Sequence, residues 1–306
     1  MVVTISHLGY AKTQSLEVYR SQRRGGVGKT AASVKDEDFV EQLIVANTHS
    51  TLLCFSNLGK VYWLKVYQIP AASRVAKGRP LINLINLDEG ERITSLLNVE
   101  SFEEPGFVFM ATKKGVVKKT SLDEFKRQWK VGKKAIKLDP DDELVGSTLT
   151  DGEKFIMLVS QSGKAVFFDE KEARSMGRAA RGVKGINLGK DDQVISLLVP
   201  EKENTIFTVS ENGYGKRSSY LDYRVTNRGG KGIIGIINSP RNGNIASSIV
   251  VNDSDEILLS TDKGSIMRCA VKEIRIAGRN TQGVRIKKLS GTEKVVSVIK
   301  IEDNIK

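Results

Sequence analysis

The sequence of 306 residues contains one pattern six times, and this repetition constrains the fold more than any other feature. In each copy, an apolar strand is followed by Ser or Thr, two further residues, Gly, and a second strand that carries basic residues. The turn glycines are Gly9, Gly59, Gly115, Gly163, Gly213 and Gly264, which lie 48 to 56 residues apart. Glycine supplies the positive φ that a tight hairpin turn requires. The pattern therefore predicts one β-hairpin in each repeat.

Two further strands are predicted in each repeat. A second glycine follows 17 to 22 residues after the turn glycine, at Gly28, Gly78, Gly132, Gly185, Gly232 and Gly283. A third strand comes next, such as residues 81–85 or 135–138, and a fourth strand, such as residues 92–97 or 193–199, completes the unit. A short helical piece is predicted at residues 121–125. Four strands make a blade, and six blades arranged radially leave only short, protected sheet edges.

We expect an all-β fold of six four-stranded, propeller-like blades in a single domain spanning residues 1–306. The predicted repeats are approximately 1–48, 49–101, 102–151, 152–200, 201–252 and 253–306. No linker rich in Pro, Gly or Ser divides the chain. Whether such a ring is flat or spiral stays open at this point.

Basic residues recur in phase with the repeats. Lys and Arg number 48 against 36 Asp and Glu, giving a net charge of +12 and a pI near 9.5. The loops around the second glycine carry Lys29, Arg74, Lys77, Arg79, Lys130, Lys133, Lys134, Arg178, Arg181, Lys184, Arg224, Arg228, Lys231, Arg279 and Arg285. One such loop in each blade at one radial position predicts a cationic belt, and a polyanion is its natural partner.

A second basic set follows the turn glycines and is expected to flank the belt. Its members are Lys12, Lys60, Lys118, Lys119, Lys164, Lys216, Arg217 and Arg268. Aromatic residues make up only 6% of the chain, which argues against a single-strand channel with stacking platforms. Cations without such platforms suit the phosphates of duplex DNA, so we expect binding that is nearly independent of base sequence.

Other kinds of site find little support in the sequence. Cys54 and Cys269 are isolated within apolar runs, and His7 and His49 have no ligand cluster around them, so neither a disulfide framework nor a metal site is predicted. No apolar stretch is long enough to span a membrane, and the N-terminus lacks the features of a secretion signal. These observations predict a cytoplasmic protein that needs no cofactor within this chain.

Residues 23–30 superficially resemble a nucleotide-binding phosphate loop because they end in Gly-Lys-Thr. The standard loop requires a glycine where Arg23 stands, and it must follow a buried strand and open an amphipathic helix. Gly28 instead occupies the second-glycine position of the first repeat. The sequence also lacks paired carboxylates in a glycine-bounded loop and a nucleophile with a histidine partner, so we expect no catalysis by this chain.

The same segment carries a family resemblance. It reads Gln22, Arg23, Arg24, Gly25, Gly26, Val27 and Gly28. This run resembles the box of the form Gln-Arg-Arg-Gly-Gly-Lys-Gly found in the C-terminal domain of the bacterial DNA gyrase A subunit. Residues 45–49, 109–112, 212–217 and 278–284 are similar to that family as well. The resemblance implies a six-bladed β-pinwheel, in which neighbouring blades exchange strands, and a DNA-binding box at Gln22 to Gly28. One departure is Val27, where the box usually carries Lys or Arg.

The resemblance also implies a mechanism and partners. The rim would wrap duplex DNA in one hand, which would support negative supercoiling by the holoenzyme. The partners would be duplex DNA, the breakage-reunion part of the same polypeptide, and the gyrase B subunit, which carries the ATPase. The DNA-cleaving tyrosine would lie in the breakage-reunion part, so none of the 7 tyrosines of this chain is assigned that role. We expect the isolated domain to be monomeric and to work at the nucleoid.

Two alternatives remain. The related domain of the topoisomerase IV C subunit usually has fewer or degenerate repeats and lacks an intact box, so residues 22–26 favour gyrase. A propeller that serves as a protein-interaction platform would show apolar or mixed-charge patches on one flat face. The sequence shows instead a periodic set of one sign.

Overall fold

The computed structural model describes residues 1–16, 38–73 and 76–301. Within these residues the regular secondary structure is almost entirely β-strand, with a few short 3-10 helices. The predicted hairpins are all present. They consist of β1 (Val2–Ser6) and β2 (Tyr10–Gln14), β4 (Thr51–Ser56) and β5 (Lys60–Lys65), β8 (Phe107–Thr112) and β9 (Val116–Ser121), β12 (Phe155–Ser160) and β13 (Lys164–Asp169), β16 (Thr205–Ser210) and β17 (Tyr214–Ser219), and β20 (Glu256–Thr261) and β21 (Ile266–Ala270).

The last strand of each repeat forms the inner edge of its sheet. These inner strands are β3 (Val40–Val45), β7 (Ile93–Val99), β11 (Leu144–Thr150), β15 (Val194–Leu198), β19 (Ile245–Val251) and β23 (Val295–Ile301). Each pairs antiparallel with the first hairpin strand, and each pairing shifts register at the same place, one or two residues from the start of the inner strand. Such a bulge bends a strand and increases its twist.

The outermost strand of each complete sheet comes from the following repeat. These exchanged strands are only two residues long: β6 (Arg79–Pro80), β10 (Lys133–Lys134), β14 (Val183–Lys184), β18 (Ile233–Ile234) and β22 (Val284–Arg285). The sheet orders are β3-β1-β2-β6, β7-β4-β5-β10, β11-β8-β9-β14, β15-β12-β13-β18 and β19-β16-β17-β22. The sixth sheet contains β23-β20-β21 among the described residues. The exchange expected of a β-pinwheel is thus observed.

The third strands are shorter and earlier than predicted. The predicted strands at residues 81–85 and 135–138 are wrong, because pairing ends at Pro80 and Lys134. Beyond that point the backbone folds over the turn glycine of the preceding repeat, where the amide of Ala135 donates to the carbonyl of Gly59 at 2.8 Å. Residues 81–83 instead form a 3-10 helix, Leu81–Asn83. The other 3-10 helices are Val66–Gln68, Leu122–Phe125, Glu170–Glu172, Tyr220–Asp222 and Val271–Glu273, and Leu122–Phe125 confirms the predicted helical piece.

A glycine directly precedes each exchanged strand, and we call these the rim glycines: Gly78, Gly132, Gly182, Gly232 and Gly283. The sequence prediction of Gly185 for the fourth repeat is wrong. Gly182 takes this place, with φ of 99° and with a Cβ position only 2.5 Å from the carbonyl oxygen of Val117. The close approach of two backbones therefore requires glycine there.

The ring is closed by apolar contacts between its first and last blades. Val2 and Ile301 form a buried cluster, against which Leu43 and Leu258 pack, and β3 lies beside β23. The other clusters also cross between blades; one joins Phe55 of the second repeat to Met110 of the third. Six inner strands thus surround a central channel. Hydrogen bonds between serines of neighbouring blades line it; for example, Ser147 Oγ donates to Ser95 Oγ at 2.8 Å.

We predict that alanine at Gly232 destabilises the chain by about 1–3 kcal/mol, the usual cost of a strained backbone or steric clash. Gly232 has φ of 76°, and a Cβ there would lie 2.8 Å from the carbonyl oxygen of Ala165. Gly177→Ala is the matched control, because its Cβ would meet nothing within 4 Å and its φ is not in the left-handed region. Urea unfolding of both variants checks this prediction. Equal losses of stability would contradict it.

Candidate nucleic-acid interface

The outer surface of each of the first five blades is formed by the loop that leads to its exchanged strand, and we call these loops the rim loops. In the second to sixth repeats, whose loops the structure describes except for residues 74–75, the loop leaves a 3-10 helix at one end of the ring and passes through the rim glycine into the sheet of the preceding blade. Most of the predicted belt residues are exposed, namely Lys77, Arg79, Lys130, Lys134, Arg181, Lys184, Arg224, Lys231 and Arg285. Four others are half-buried: Lys133, Arg178, Arg228 and Arg279. The box Gln22 to Gly28, together with Lys29 and Arg74, lies outside the described residues.

Several exposed belt cations have no partner within the described part of the chain. The side chains of Lys130, Lys134, Lys184, Arg224 and Lys231 make no hydrogen bond or ion pair with any described residue. Others are partly neutralised, since Arg181 pairs with Asp139 and Lys60 of the flanking set pairs with Asp88. The exposed side chain of Arg79 likewise makes no hydrogen bond or ion pair with a described residue, so the unpaired cations come from the second to fifth repeats and are spread along the rim.

The sequence prediction that the flanking set lies at the surface is wrong for four of its members. Lys118, Lys119, Lys216 and Arg217 are buried. They lie three or four residues after a turn glycine, in the middle of a hairpin strand that the next repeat's loop covers. Lys119 Nζ donates to the carbonyl of Glu170 at 3.0 Å, and Arg217 Nε donates to the carbonyl of Ile274 at 2.8 Å. These cations hold neighbouring repeats together and do not face solvent.

The remaining members of that set differ with position. Lys164 and Arg268 are exposed, and Lys12 and Lys60 are half-buried. Lys60 and Lys164 directly follow their turn glycines, where the strand begins at the surface. Arg268 occupies a mid-strand position, but it belongs to the sixth blade, whose outer strand β21 pairs with no exchanged strand among the described residues. In the third to fifth blades, distance from the turn glycine was the sequence signal, because cations three or four residues after it are buried and Lys164, one residue after it, is exposed. Lys12 and Arg268 depart from this rule.

Three lysines bind the rim loops of alternate blades. Lys12, Lys118 and Lys216 stand three residues after their turn glycines, and each donates to carbonyls of the following repeat's rim loop. Lys12 Nζ reaches the carbonyl of Ala76 at 2.9 Å, Lys118 that of Arg178, and Lys216 that of Gly278 at 2.7 Å. The second, fourth and sixth rim loops are thus fixed by the first, third and fifth blades.

Burial alters the protonation of two of these lysines. It lowers the pKa of Lys118 to about 7, with a smaller contribution from the nearby cation of Arg178, while Glu124 opposes the shift. Burial likewise lowers the pKa of Lys216 to about 8, with Arg279 acting in the same direction and Asp222 opposing. A phosphate near either loop would favour the protonated form.

Two aromatic residues of the rim were missed by the sequence prediction. Trp129 lies beneath the guanidinium of Arg127 at 4.0 Å and the ammonium of Lys133 at 4.3 Å, and Tyr214 lies beneath Arg241 at 4.4 Å. Cation-π contacts orient these cations. The available signal was that Arg127 and Lys133 lie two residues before and four residues after Trp129 in the sequence. These aromatic faces already carry protein cations, so they are not open platforms for bases.

Acidic residues collect at one end of the ring. The connections from each inner strand to the next hairpin lie opposite the Ser-x-x-Gly turns and carry the exposed residues Glu100, Glu103, Glu104, Asp151, Glu153, Glu201, Glu203 and Asp253. Five of these carboxylates are ion-paired with Lys or Arg: Glu103, Asp151, Glu153, Glu201 and Asp253. Glu100, Glu104 and Glu203 make no ion pair with a described residue, so only these three leave uncompensated negative charge at this end. Among the described residues, no group of three or more His, Cys, Asp or Glu side chains could hold a metal ion, and no helix is long and apolar enough to cross a membrane.

We predict that Lys118 and Lys216 make stability depend on pH above neutrality. Their pKa values are lowered in the folded chain, whereas an unfolded lysine has a pKa of about 10.4. Between about pH 7 and 10 the unfolded state therefore binds more protons, and the free energy of unfolding rises with pH. The double variant Lys118→Met, Lys216→Met should lose this rise, and Lys164→Met, which removes an exposed lysine, should keep it. Denaturant unfolding across this pH range is the measurement; an unchanged slope in the double variant would contradict the prediction.

Sequence comparison gives a match in six segments. The family model described as DNA gyrase C-terminal domain, beta-propeller, matches residues 1–47, 50–100, 106–151, 154–201, 204–252 and 255–302. The DNA gyrase A protein of Buchnera aphidicola (subsp. Acyrthosiphon pisum) is 57% identical over 303 residues, which cover 99% of this chain and 36% of the relative. That of Salmonella typhimurium is 48% identical over 305 residues, which cover 100% of this chain and 35% of the relative. The chain thus spans about a third of these relatives' length.

Solved structures share the architecture. The C-terminal domain of DNA topoisomerase IV superposes with a TM-score of 0.83 at 30% identity, covering 99% of this chain and 93% of that one. The C-terminal domain of DNA gyrase A superposes with a TM-score of 0.80 at 25% identity, covering 98% and 99%. Since the family model matches nearly the whole chain blade by blade, the chain belongs to the DNA gyrase C-terminal domain family of β-propellers.

Proposed function

We propose that this chain is the DNA-wrapping domain of a bacterial gyrase A protein and that it binds duplex DNA around its outer rim without regard to base sequence. The observation that carries the proposal is the set of unpaired, exposed cations on the rim loops of successive blades. Phosphates recur at regular intervals along a duplex, and a ring with one cationic loop per blade offers ligands at regular intervals around a curve. Solubility alone would not place charges in phase.

Bending is the mechanical consequence of binding such a rim. Smooth bending of a short duplex segment costs on the order of 1–6 kcal/mol, and several phosphate contacts at moderate salt can offset this cost. At one end of the ring, the exposed carboxylates of Glu100, Glu104 and Glu203 make no ion pair with a described residue, and they disfavour a path across that face. DNA held on the rim would be curved in one hand and would present a neighbouring segment to the rest of the enzyme.

The proposal extends to the wider assembly, and family membership is what supports it. We propose that the breakage-reunion part of the same polypeptide cuts DNA, that the gyrase B subunit hydrolyses ATP, and that this chain contributes neither activity and needs no cofactor. Its place would be the bacterial cytoplasm, at the nucleoid. A topoisomerase IV C subunit is the second candidate, supported by the TM-score of 0.83 with that domain. The curated relatives and the intact residues 22–26 favour gyrase.

We predict a steep loss of affinity as salt rises, with a slope set by the rim cations. Each phosphate contact contributes about 0.9 to the slope of log K against log salt. The variant Lys134→Gln, Lys184→Gln, Lys231→Gln should therefore reduce the slope by roughly 2–3. Lys202→Gln, Lys263→Gln, Lys272→Gln removes the same charge from exposed sites away from the rim loops. Fluorescence anisotropy with a linear duplex checks both variants; equal reductions would refute a rim site, and salt-independent binding by the parent chain would refute the proposed function.

We also predict that Arg23→Ala, Arg24→Ala damages wrapping more than binding, because rim cations of the other blades still hold phosphates. Wrapping is measured by relaxing closed-circular DNA in the presence of the chain, removing protein, and determining the change in linking number. Affinity for a short linear duplex is measured in parallel. A proportional loss of both quantities would show that residues 22–28 have no special role.

A further inference from the structure

One position of the rim loop is occupied by arginine in nearly every repeat, unlike the neighbouring positions of the loop. Four residues before the second glycine, or rim glycine, the six repeats carry Arg24, Arg74, Gln128, Arg178, Arg228 and Arg279. One residue before it they carry Val27, Lys77, Val131, Arg181, Lys231 and Gln282. The position one residue before the glycine is basic in three repeats, and there it is Lys twice and Arg once, either of which can contact a phosphate. Arginine in five of six repeats indicates a requirement for guanidinium geometry, which lysine cannot meet.

The described copies show what this geometry does. Arg228 Nε donates to the carbonyl of Glu172 at 3.0 Å, and its Nη1 donates to the carbonyl of Lys184 at 2.9 Å. Glu172 ends the 3-10 helix of the preceding repeat, and Lys184 ends its exchanged strand. Both of these carbonyls lie at the end of a regular element, where carbonyls lack backbone hydrogen-bond donors within the element.

The next repeat reproduces the arrangement atom by atom. Arg279 Nε donates to the carbonyl of Asp222 at 3.1 Å, and its Nη1 donates to the carbonyl of Ile234 at 2.9 Å. Asp222 and Ile234 again end the 3-10 helix and the exchanged strand of the preceding repeat. Two edges of neighbouring repeats are therefore joined by the same planar fork, once through Arg228 and once through Arg279.

We propose that this arginine is a positioning residue that joins consecutive blades, and that the neighbouring cations of the loop, not the arginine itself, bind phosphate. The inference rests on the proposed function for its DNA part. In the fifth repeat the loop is further fixed by the amide of Gly229, which donates to the carbonyl of Gly185 at 2.6 Å. Arg224 and Lys231 are left exposed on either side. A fixed loop holds these two cations at a set spacing on the rim.

The third and fourth repeats show departures from the fork. Arg178 has the same two atoms, Nε and Nη1, buried but without an acceptor among the described residues, and the Lys118 ammonium instead donates to its carbonyl. The third repeat carries Gln128, whose Nε2 approaches Thr51 Oγ1 of the preceding repeat at 3.5 Å. Because the fork is made by Arg228 and Arg279, these two residues are the ones to test.

The experiment compares Arg228→Lys and Arg228→Gln with the control Lys231→Gln in the 306-residue chain. Without DNA, amide hydrogen exchange of residues 224–232 reports the fixing of the loop. We expect both Arg228 variants to exchange roughly tenfold faster or more, because two hydrogen bonds are lost, and Lys231→Gln to exchange like the parent. Should Arg228→Gln unfold the chain, Arg279→Lys and Arg279→Gln provide the same comparison at residues 275–285.

The DNA part uses the salt dependence of binding to a linear duplex. Lys231→Gln should reduce the slope by about 0.9, one phosphate contact, whereas Arg228→Lys should weaken wrapping with little change in slope. Parent-like exchange and wrapping in Arg228→Lys, with a slope reduced by about 0.9 in Arg228→Gln, would overturn the proposal, because a point charge would then suffice. If the parent chain bound no DNA, the proposed function would fail, while hydrogen exchange would still decide the positioning role.

Discussion

The outer strand of each complete sheet is supplied by the next repeat, and the rest of the structure depends on this exchange. An exchanged strand is two residues long and makes few ladder hydrogen bonds, so it cannot hold two blades together by pairing alone. Apolar clusters between blades carry much of the association. The rim loops therefore have two roles, since they must both connect neighbouring blades and present charge to the outside.

The chain divides its cations between these roles. Lys118 and Lys216 are buried, and each donates to backbone carbonyls of the next repeat, while burial lowers the pKa of each ammonium because charge is disfavoured away from water. Arg228 and Arg279 reach back to the previous repeat. The two kinds of contact run in opposite directions around the ring. A net charge of +12 thus overstates the charge available to a polyanion, although enough remains exposed on the rim loops to form a belt.

This division of cations matters for how a ring could bend DNA. A duplex resists bending, so cations on loosely held loops would follow the DNA and leave it straight. Loops fixed at both ends impose their own spacing on the phosphates. The glycines of the rim serve the same end, because Gly182 and Gly232 let the loop backbone pass against a strand of the preceding blade where a Cβ would collide with a carbonyl oxygen.

The sequence by itself determined the six hairpins, the ring of blades and the phase of the basic loops, because hydrophobic alternation and turn glycines are local signals. It placed the third strands at residues 81–85 and 135–138, chose Gly185 over Gly182, and set Lys118, Lys119, Lys216 and Arg217 on the surface. Only the tertiary structure decided these points. Strand exchange brings a loop from one repeat over a strand of another, and whether a lysine in that strand meets water or a carbonyl depends on a neighbour about sixty residues away. A local sequence pattern carries no information about whether a loop of the next repeat covers the strand, because the packing of one blade on the next determines this.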